Sequence, residues 1–134
     1  MIKIVNIRTY KGDDVAYIGR GSPLENKWSS KPSKYKHVIR VENAKIAVDN
    51  YKTYLHNKIK EKDRVIVNEL KLLFEYHEQT GSLKLGCFCK DETLHNDLFE
   101  CIEHDEDYVY CHGEVIRDVL LKMIKFKGIK NDTD

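Results

Sequence analysis

The chain lacks both a large net charge and a long apolar run. It carries 23 basic and 22 acidic residues among 134, so no global charge excess would drive it onto nucleic acid or an anionic membrane. No apolar run approaches the ~20 residues of a membrane-spanning helix, and the first residues have a strand-like pattern rather than that of a signal peptide. These absences predict a cytoplasmic protein with no membrane partner.

Internal repeats and low-complexity tracts are also lacking. The length and the 41% hydrophobic content fit one compact domain with a modest core. We therefore expect a single domain over residues 1–134, with an acidic, polar insertion at 90–110 and a frayed tail at 129–134. A short helix is expected within the insertion.

Apolar patterning predicts three strands and three main helices. Strands are expected at residues 2–8, 15–18 and 83–89. Helical spacing and end signals predict one helix beginning near Glu42 or Asn43, a second from Asp63 to Gly81, and a third from Val115 that stops at Gly128. This order predicts a small α/β domain in two or three layers, with a short mixed or parallel sheet.

Residues 18–26, Ile-Gly-Arg-Gly-Ser-Pro-Leu-Glu-Asn, follow the second predicted strand and are called the glycine loop below. Two glycines permit positive φ and close backbone approach, and Arg20 supplies a planar guanidinium, which together suit a phosphate. The loop lacks the three-glycine spacing of a dinucleotide fingerprint, so an ordinary structural turn is the alternative. The predicted ligand-binding residues are Gly19, Arg20, Gly21, Ser22, Asn26, Trp28 and Gly113.

The four cysteines, at positions 87, 89, 101 and 111, are interpreted as thiols or metal ligands, because no signal peptide indicates a secreted protein. Cys87, Cys89, Cys111 and His112 have the ligand types that zinc prefers, although their spacing departs from the usual two to four intervening residues. Zinc is the one cofactor that the sequence suggests. Buried reduced thiols are the alternative.

A third interpretation of these residues is catalytic. Cys111 is expected at the start of the last helix, where a thiolate is favoured and can act as a nucleophile. His112 and Glu114 are its candidate catalytic partners.

Residues 27–37 combine four lysines with two aromatic residues and have no regular apolar period. We expect a long loop, either solvated or able to bind single-stranded nucleic acid by stacking and charge neutralisation.

The glycine loop resembles the IGR-x-SPLGNPF signature of a small bacterial and phage family of unknown function. Cys87-Phe88-Cys89 and Cys111-His112-Gly113 resemble that family's CxC and CHG signatures, and Ala47 and Tyr51 resemble residues of its intervening helix. The similarity spans nearly the whole chain. This chain departs from the family pattern at Glu25, where glycine is usual, at Lys27-Trp28, which stand for Pro-Phe, and in its longer spacing between CxC and CHG.

The resemblance implies one ligand site built from residues 19–26, 87–89 and 111–113. A phage setting, in the host cytoplasm, would imply nucleotide metabolism, nucleic-acid modification or countering of host nucleotide signals. Our main hypothesis is a protein that binds a nucleotide or nucleotide-derived signal, by sequestration or by hydrolysis. The alternatives are a zinc-stabilised protein-interaction module and a single-stranded nucleic-acid binder. The oligomeric state stays open, a homo-oligomer included.

Overall fold

The computed structural model describes residues 2–7, 10–29, 36–87 and 112–133, without the side chains at positions 44, 87 and 128–133. Eight elements occur in these ranges. They are β1 (Ile2–Asn6), β2 (Ala16–Tyr17), β3 (Trp28–Ser29), β4 (Ile39–Arg40), α1 (Ala44–Lys60), α2 (Arg64–Thr80), β5 (Leu83–Cys87) and α3 (His112–Thr133).

The main sheet has three parallel strands in the order β1-β5-β2. Strand β5 lies in the middle: Ile2 pairs with Leu83, Asn6 with Cys87, and Ala16 with Leu85. Because all three strands run the same way, their carboxyl ends meet at one edge of the sheet. The predicted small α/β domain with a short parallel sheet is confirmed.

The core lies between the helices and one face of this sheet. On that face Ile4 and Leu85 are buried, whereas Lys3 and Lys84, their neighbours along the strands, are only half-buried. This alternation is the period-two pattern of strands with one face in the core, and it is broken at Val5, which is buried on the opposite face. Among the residues with described side chains, the largest that is fully buried is Tyr51 in α1.

The predicted helix ends are confirmed for α1 and α2. Asn43 caps α1, since its Oδ1 accepts a hydrogen bond from the Ile46 amide at 2.9 Å, and Asp63 caps α2 in the same way at 3.0 Å from the Ile66 amide. Gly81 ends α2 in the left-handed conformation, with φ of 79°. Asparagine, aspartate and glycine are common at helix ends, because they provide partners for the backbone groups that lack one within the helix or allow the chain to turn there.

The predicted stop of the last helix at Gly128 is wrong, because α3 continues to Thr133. Glycine costs about 1 kcal/mol relative to alanine inside a helix. It ends a helix only where it takes the left-handed conformation, as Gly81 does.

The prediction of a loop over residues 27–37 is wrong at its start, because strand Trp28–Ser29 pairs in parallel with strand Ile39–Arg40. A two-residue strand is too short to reveal an alternating pattern in the sequence. Residues 30–35 and the insertion at 90–110, with its predicted helix, lie outside the described residues. No helix in the described part of the chain is long and apolar enough to cross a membrane.

An exposed polar cluster joins the β1–β2 connection to the central strand. Asp14 accepts hydrogen bonds from Lys84 Nζ and from the Tyr10 hydroxyl, both at 2.5 Å. The bonds from Lys84 and then from Tyr10 lower the pKa of Asp14 to about 2. A carboxyl with a depressed pKa in the folded state stabilises the fold above its unfolded pKa of about 3.9, and this contribution is lost as pH falls towards the folded value.

We therefore expect Asp14→Asn to lower the melting temperature at pH 6 and the difference from the parent to shrink between pH 4 and 2. Thermal unfolding followed by circular dichroism across this range measures it. Asp13→Asn is the matched control, because Asp13 is exposed and makes no ion pair among the described residues. A difference in melting temperature between Asp14→Asn and the parent that stays constant down to pH 2 would contradict a stabilising role of the Asp14 charge.

Candidate functional site

Ile18 connects the glycine loop to the sheet and to α3. Its amide donates to the carbonyl oxygen of Gly86 in β5 at 2.8 Å, and its carbonyl oxygen lies 2.7 Å from Nε2 of His112, the first residue of α3. A carbonyl oxygen can only accept, so Nε2 carries the proton. The glycine loop, the end of β5 and the start of α3 are therefore adjacent at the carboxyl edge of the parallel sheet.

The first half of the glycine loop is folded on itself. Both the amide and the hydroxyl of Ser22 donate to the carbonyl oxygen of Gly19, at 3.0 and 2.7 Å. Gly21 has φ of 89°, which disfavours any side chain at this position. The hydroxyl of Tyr17 donates to the Arg20 carbonyl oxygen at 2.8 Å. These contacts fix a compact turn at the end of β2.

Helix α1 holds the second half of the loop. The buried hydroxyl of Tyr51 donates to the Leu24 carbonyl oxygen at 2.7 Å. The side-chain Nδ2 of Asn26 donates to the Ala47 carbonyl oxygen at 3.2 Å, and the side-chain Oδ1 accepts from the backbone amide of Trp28 at 3.0 Å. Asn26, predicted to orient a base or ribose, thus uses both ends of its amide within the protein.

The side chains that hold the two halves of the loop also contact each other. The rings of Tyr51 and His112 lie edge to face, with centroids 5.0 Å apart and an interplanar angle of 81°. Both residues are almost completely buried. The three side chains of His112, Tyr51 and Asn26, called the loop clamp below, therefore position the glycine loop from α3, from α1 and from the loop itself.

A carboxylate already lies among the donors predicted to bind phosphate. Glu25 Oε2 is 3.4 Å from the Gly21 amide and 3.7 Å from Arg20 Nη1, and the Glu25 carboxylate is 3.1 Å from Nε2 of His37. Arg20 also donates to the Asn26 carbonyl oxygen. The donors predicted to bind phosphate are therefore grouped around the carboxylate of Glu25 in this structure.

Two charged residues are buried at the start of α3. Glu114 and Arg117 are 8% and 6% exposed, and Arg117 Nη2 lies 3.8 Å from Glu114 Oε1. Glu114, a predicted catalytic residue, is thus in an ion pair rather than at the surface. Sequence reasoning missed Arg117, although an arginine between the apolar residues Ile116 and Val119 was a usable signal.

The predicted stacking residue, Trp28, packs against α1. Its ring lies edge-on to that of Tyr54, at 5.7 Å between centroids, and Lys27 and Lys58 place their ammonium groups 5.2 and 5.8 Å from the Tyr54 centroid. A shallow groove of about 390 Å³ lies beside them, next to the glycine loop. Its lining residues are Ser22, Pro23, Glu25, Lys27, Tyr54, Lys58, Asp63, Val65 and Ile66.

Most of the predicted zinc ligands lie outside the described residues. Only the backbone of Cys87 is described, at the end of β5, and Cys89 and Cys111 are not. Within the described ranges, no group of three or more histidine, cysteine or acidic residues could hold a metal ion. Zinc binding, and catalysis by Cys111, stay predictions.

The family of the chain follows from comparison with known proteins. The family described as Domain of unknown function (DUF4326) matches residues 5–122. The chain therefore belongs to this family, and the matched range includes the glycine loop, α1 and the start of α3. No curated protein and no solved structure matches the chain.

The loop clamp leads to a stability prediction. Tyr51→Phe removes the donor to the Leu24 carbonyl oxygen and leaves that oxygen unsatisfied, so we expect the free energy of unfolding to fall by about 1–3 kcal/mol. Urea denaturation measures the change. Tyr54→Phe is the matched control, because the Tyr54 hydroxyl makes no hydrogen bond among the described residues, and we expect a change within about 0.5 kcal/mol. Equal effects of the two variants would contradict a role for the Tyr51 hydroxyl.

Proposed function

We propose that this protein binds a nucleotide or nucleotide-derived ligand by its phosphate groups, at the glycine loop and the start of α3. The observation that carries the proposal is the double contact of Ile18, with Gly86 on one side and His112 on the other. It joins a glycine-rich loop to a helix start at the carboxyl edge of a parallel sheet. Ligands of open α/β sheets bind at such edges, where backbone amides and the positive end of a helix favour anions.

The contacts of Glu25 support an anionic ligand. A backbone amide, a guanidinium and an imidazole surround its carboxylate, and the same donor types bind phosphate oxygens. In the proposed complex a phosphate takes the place of this carboxylate, and Arg20 and Gly21 contact its oxygens, because both donors of Ser22 bond to Gly19. The adjacent groove, with Pro23 and Tyr54 in its lining, would take the sugar or base.

Sequestration without turnover is the form of this function that we favour. His112 directs Nε2 to the Ile18 carbonyl oxygen, and Glu114 pairs with Arg117. Both predicted catalytic partners thus have structural contacts, which supports binding more than hydrolysis. We also propose that the glycine loop and Cys111-His112-Gly113 correspond to the signatures that they resemble. In a phage protein, this site would serve to capture a host nucleotide signal.

Arg20 provides the direct test. Isothermal titration with mononucleotides, cyclic dinucleotides and ADP-ribose identifies a ligand, and Arg20→Ala should raise its dissociation constant about 10- to 100-fold, the value of a charged hydrogen bond. Arg40→Ala is the control, because Arg40 is exposed in β4. The proposal fails if no compound of the panel binds, or if Arg20→Ala binds as tightly as the parent.

Glu25→Gln gives a second test, in which we expect the affinity to rise rather than fall. The substitution keeps the shape of the side chain and removes the negative charge that competes with phosphate, so the affinity for the same ligand should rise about 5- to 10-fold. Glu75→Gln, an exposed change in α2, should leave the affinity unchanged. A loss of affinity in Glu25→Gln would mean that Glu25 itself contacts the ligand.

A further inference from the structure

We propose that Arg117 is a second phosphate-binding residue of this site, which contacts the ligand from the start of α3. The inference rests on the proposed function and deepens it, because it requires a ligand with at least two phosphate groups or one phosphate held from two sides. No sequence motif includes Arg117.

The guanidinium of Arg117 is buried and poorly satisfied. The residue is 6% exposed, and its Nε has no hydrogen-bond partner. Among the described residues its one polar contact is the 3.8 Å ion pair with Glu114, which is longer than a hydrogen bond. Arginine carries five N–H donors, and buried donors are normally satisfied because leaving them unpaired is costly. A guanidinium in this state suits an oxyanion that supplies the missing acceptors.

The direction of the side chain places its donors near the first turn of α3. Arg117 Nη2 approaches Glu114, which is two residues after His112, so the guanidinium extends back towards the first turn of α3. That turn contacts Ile18 through His112. The guanidinium therefore lies near the end of α3 that contacts the glycine loop, where the positive end of the helix dipole also favours an anion.

Glu114 has a distinct role in this arrangement. A buried ion pair gains little after the desolvation of both charges unless its geometry is good, and the 3.8 Å separation here is long. Glu114 offsets the charge of Arg117 in the free protein and keeps the guanidinium near the helix start. Arginine binds phosphate with two parallel hydrogen bonds, which lysine cannot reproduce. The two residues are thus a positioning carboxylate and a ligand-binding guanidinium.

Titration calorimetry with pyrophosphate and with ADP tests the proposal. Arg117→Lys keeps the charge and loses the bidentate geometry, and we expect the dissociation constant of both probes to rise about 10- to 100-fold. The double variant Glu114→Gln with Arg117→Met leaves no unpaired buried charge and should bind neither probe. Lys122→Met, an exposed charge removal in the same helix, should stay within about twofold of the parent.

The melting temperature with and without pyrophosphate separates binding from a purely structural role. We expect the parent to gain stability with the probe, by mass action, and the Arg117→Lys variant to lose that gain. If Arg117 had only a structural role, Arg117→Lys would instead lower the melting temperature without pyrophosphate and keep the gain that pyrophosphate gives. That result would overturn the proposal.

The two proposals fail in different ways. If the parent binds both probes, Arg20→Ala does not, and both Arg117 variants bind like the parent, only the role of Arg117 is wrong. If the parent binds neither probe, the proposed function falls together with this inference.

Discussion

The arrangement of the site depends on the backbone of one residue, Ile18. Its amide extends the hydrogen bonding of β5, and its carbonyl oxygen accepts from the buried His112. One residue therefore ties the central strand of the sheet to the first turn of α3. Moving either partner would expose a buried polar group, which is costly to leave unsatisfied. The orientation of the glycine loop follows from this constraint.

The loop clamp explains why residues far apart in the sequence act together. Tyr51 and Asn26 fix the exit of the loop on α1, while His112 fixes its entry. The contact between the Tyr51 and His112 rings couples the two ends. These three side chains therefore hold the backbone conformation of the glycine loop, although they belong to segments that resemble the family motifs. For the proposed ligand, the donors that we assign are those around Glu25 and the guanidinium of Arg117.

Much of the fold could be predicted from the sequence because it is encoded locally. The cap at Asp63 and the left-handed Gly81 bound α2 by short-range chemistry that a pattern reveals. The adjacency of the glycine loop to the helix start was also predicted, from the rule that the carboxyl ends of parallel strands share an edge.

The site was predictable only in part, because its details are set by side-chain partners. Glu25 was identified as a departure from the family pattern, yet its contacts with Arg20 and His37 arise only in the folded loop. Arg117 lies between apolar residues in the sequence, but its burial and its ion pair with Glu114 arise only when the chain is folded. The predicted stop at Gly128 was wrong for a related reason: a helix end depends on the conformation that a glycine adopts in the fold.

The central claim is that the glycine loop and the start of α3 bind one anionic ligand together. The most direct measurement is a ¹⁵N-¹H NMR titration of the parent protein with ADP. We expect the amides of Gly19, Gly21, Ser22 and Gly113 to shift together with a single dissociation constant. Shifts confined to the lysines of the 27–37 segment, or different constants for the loop and the helix start, would contradict the claim.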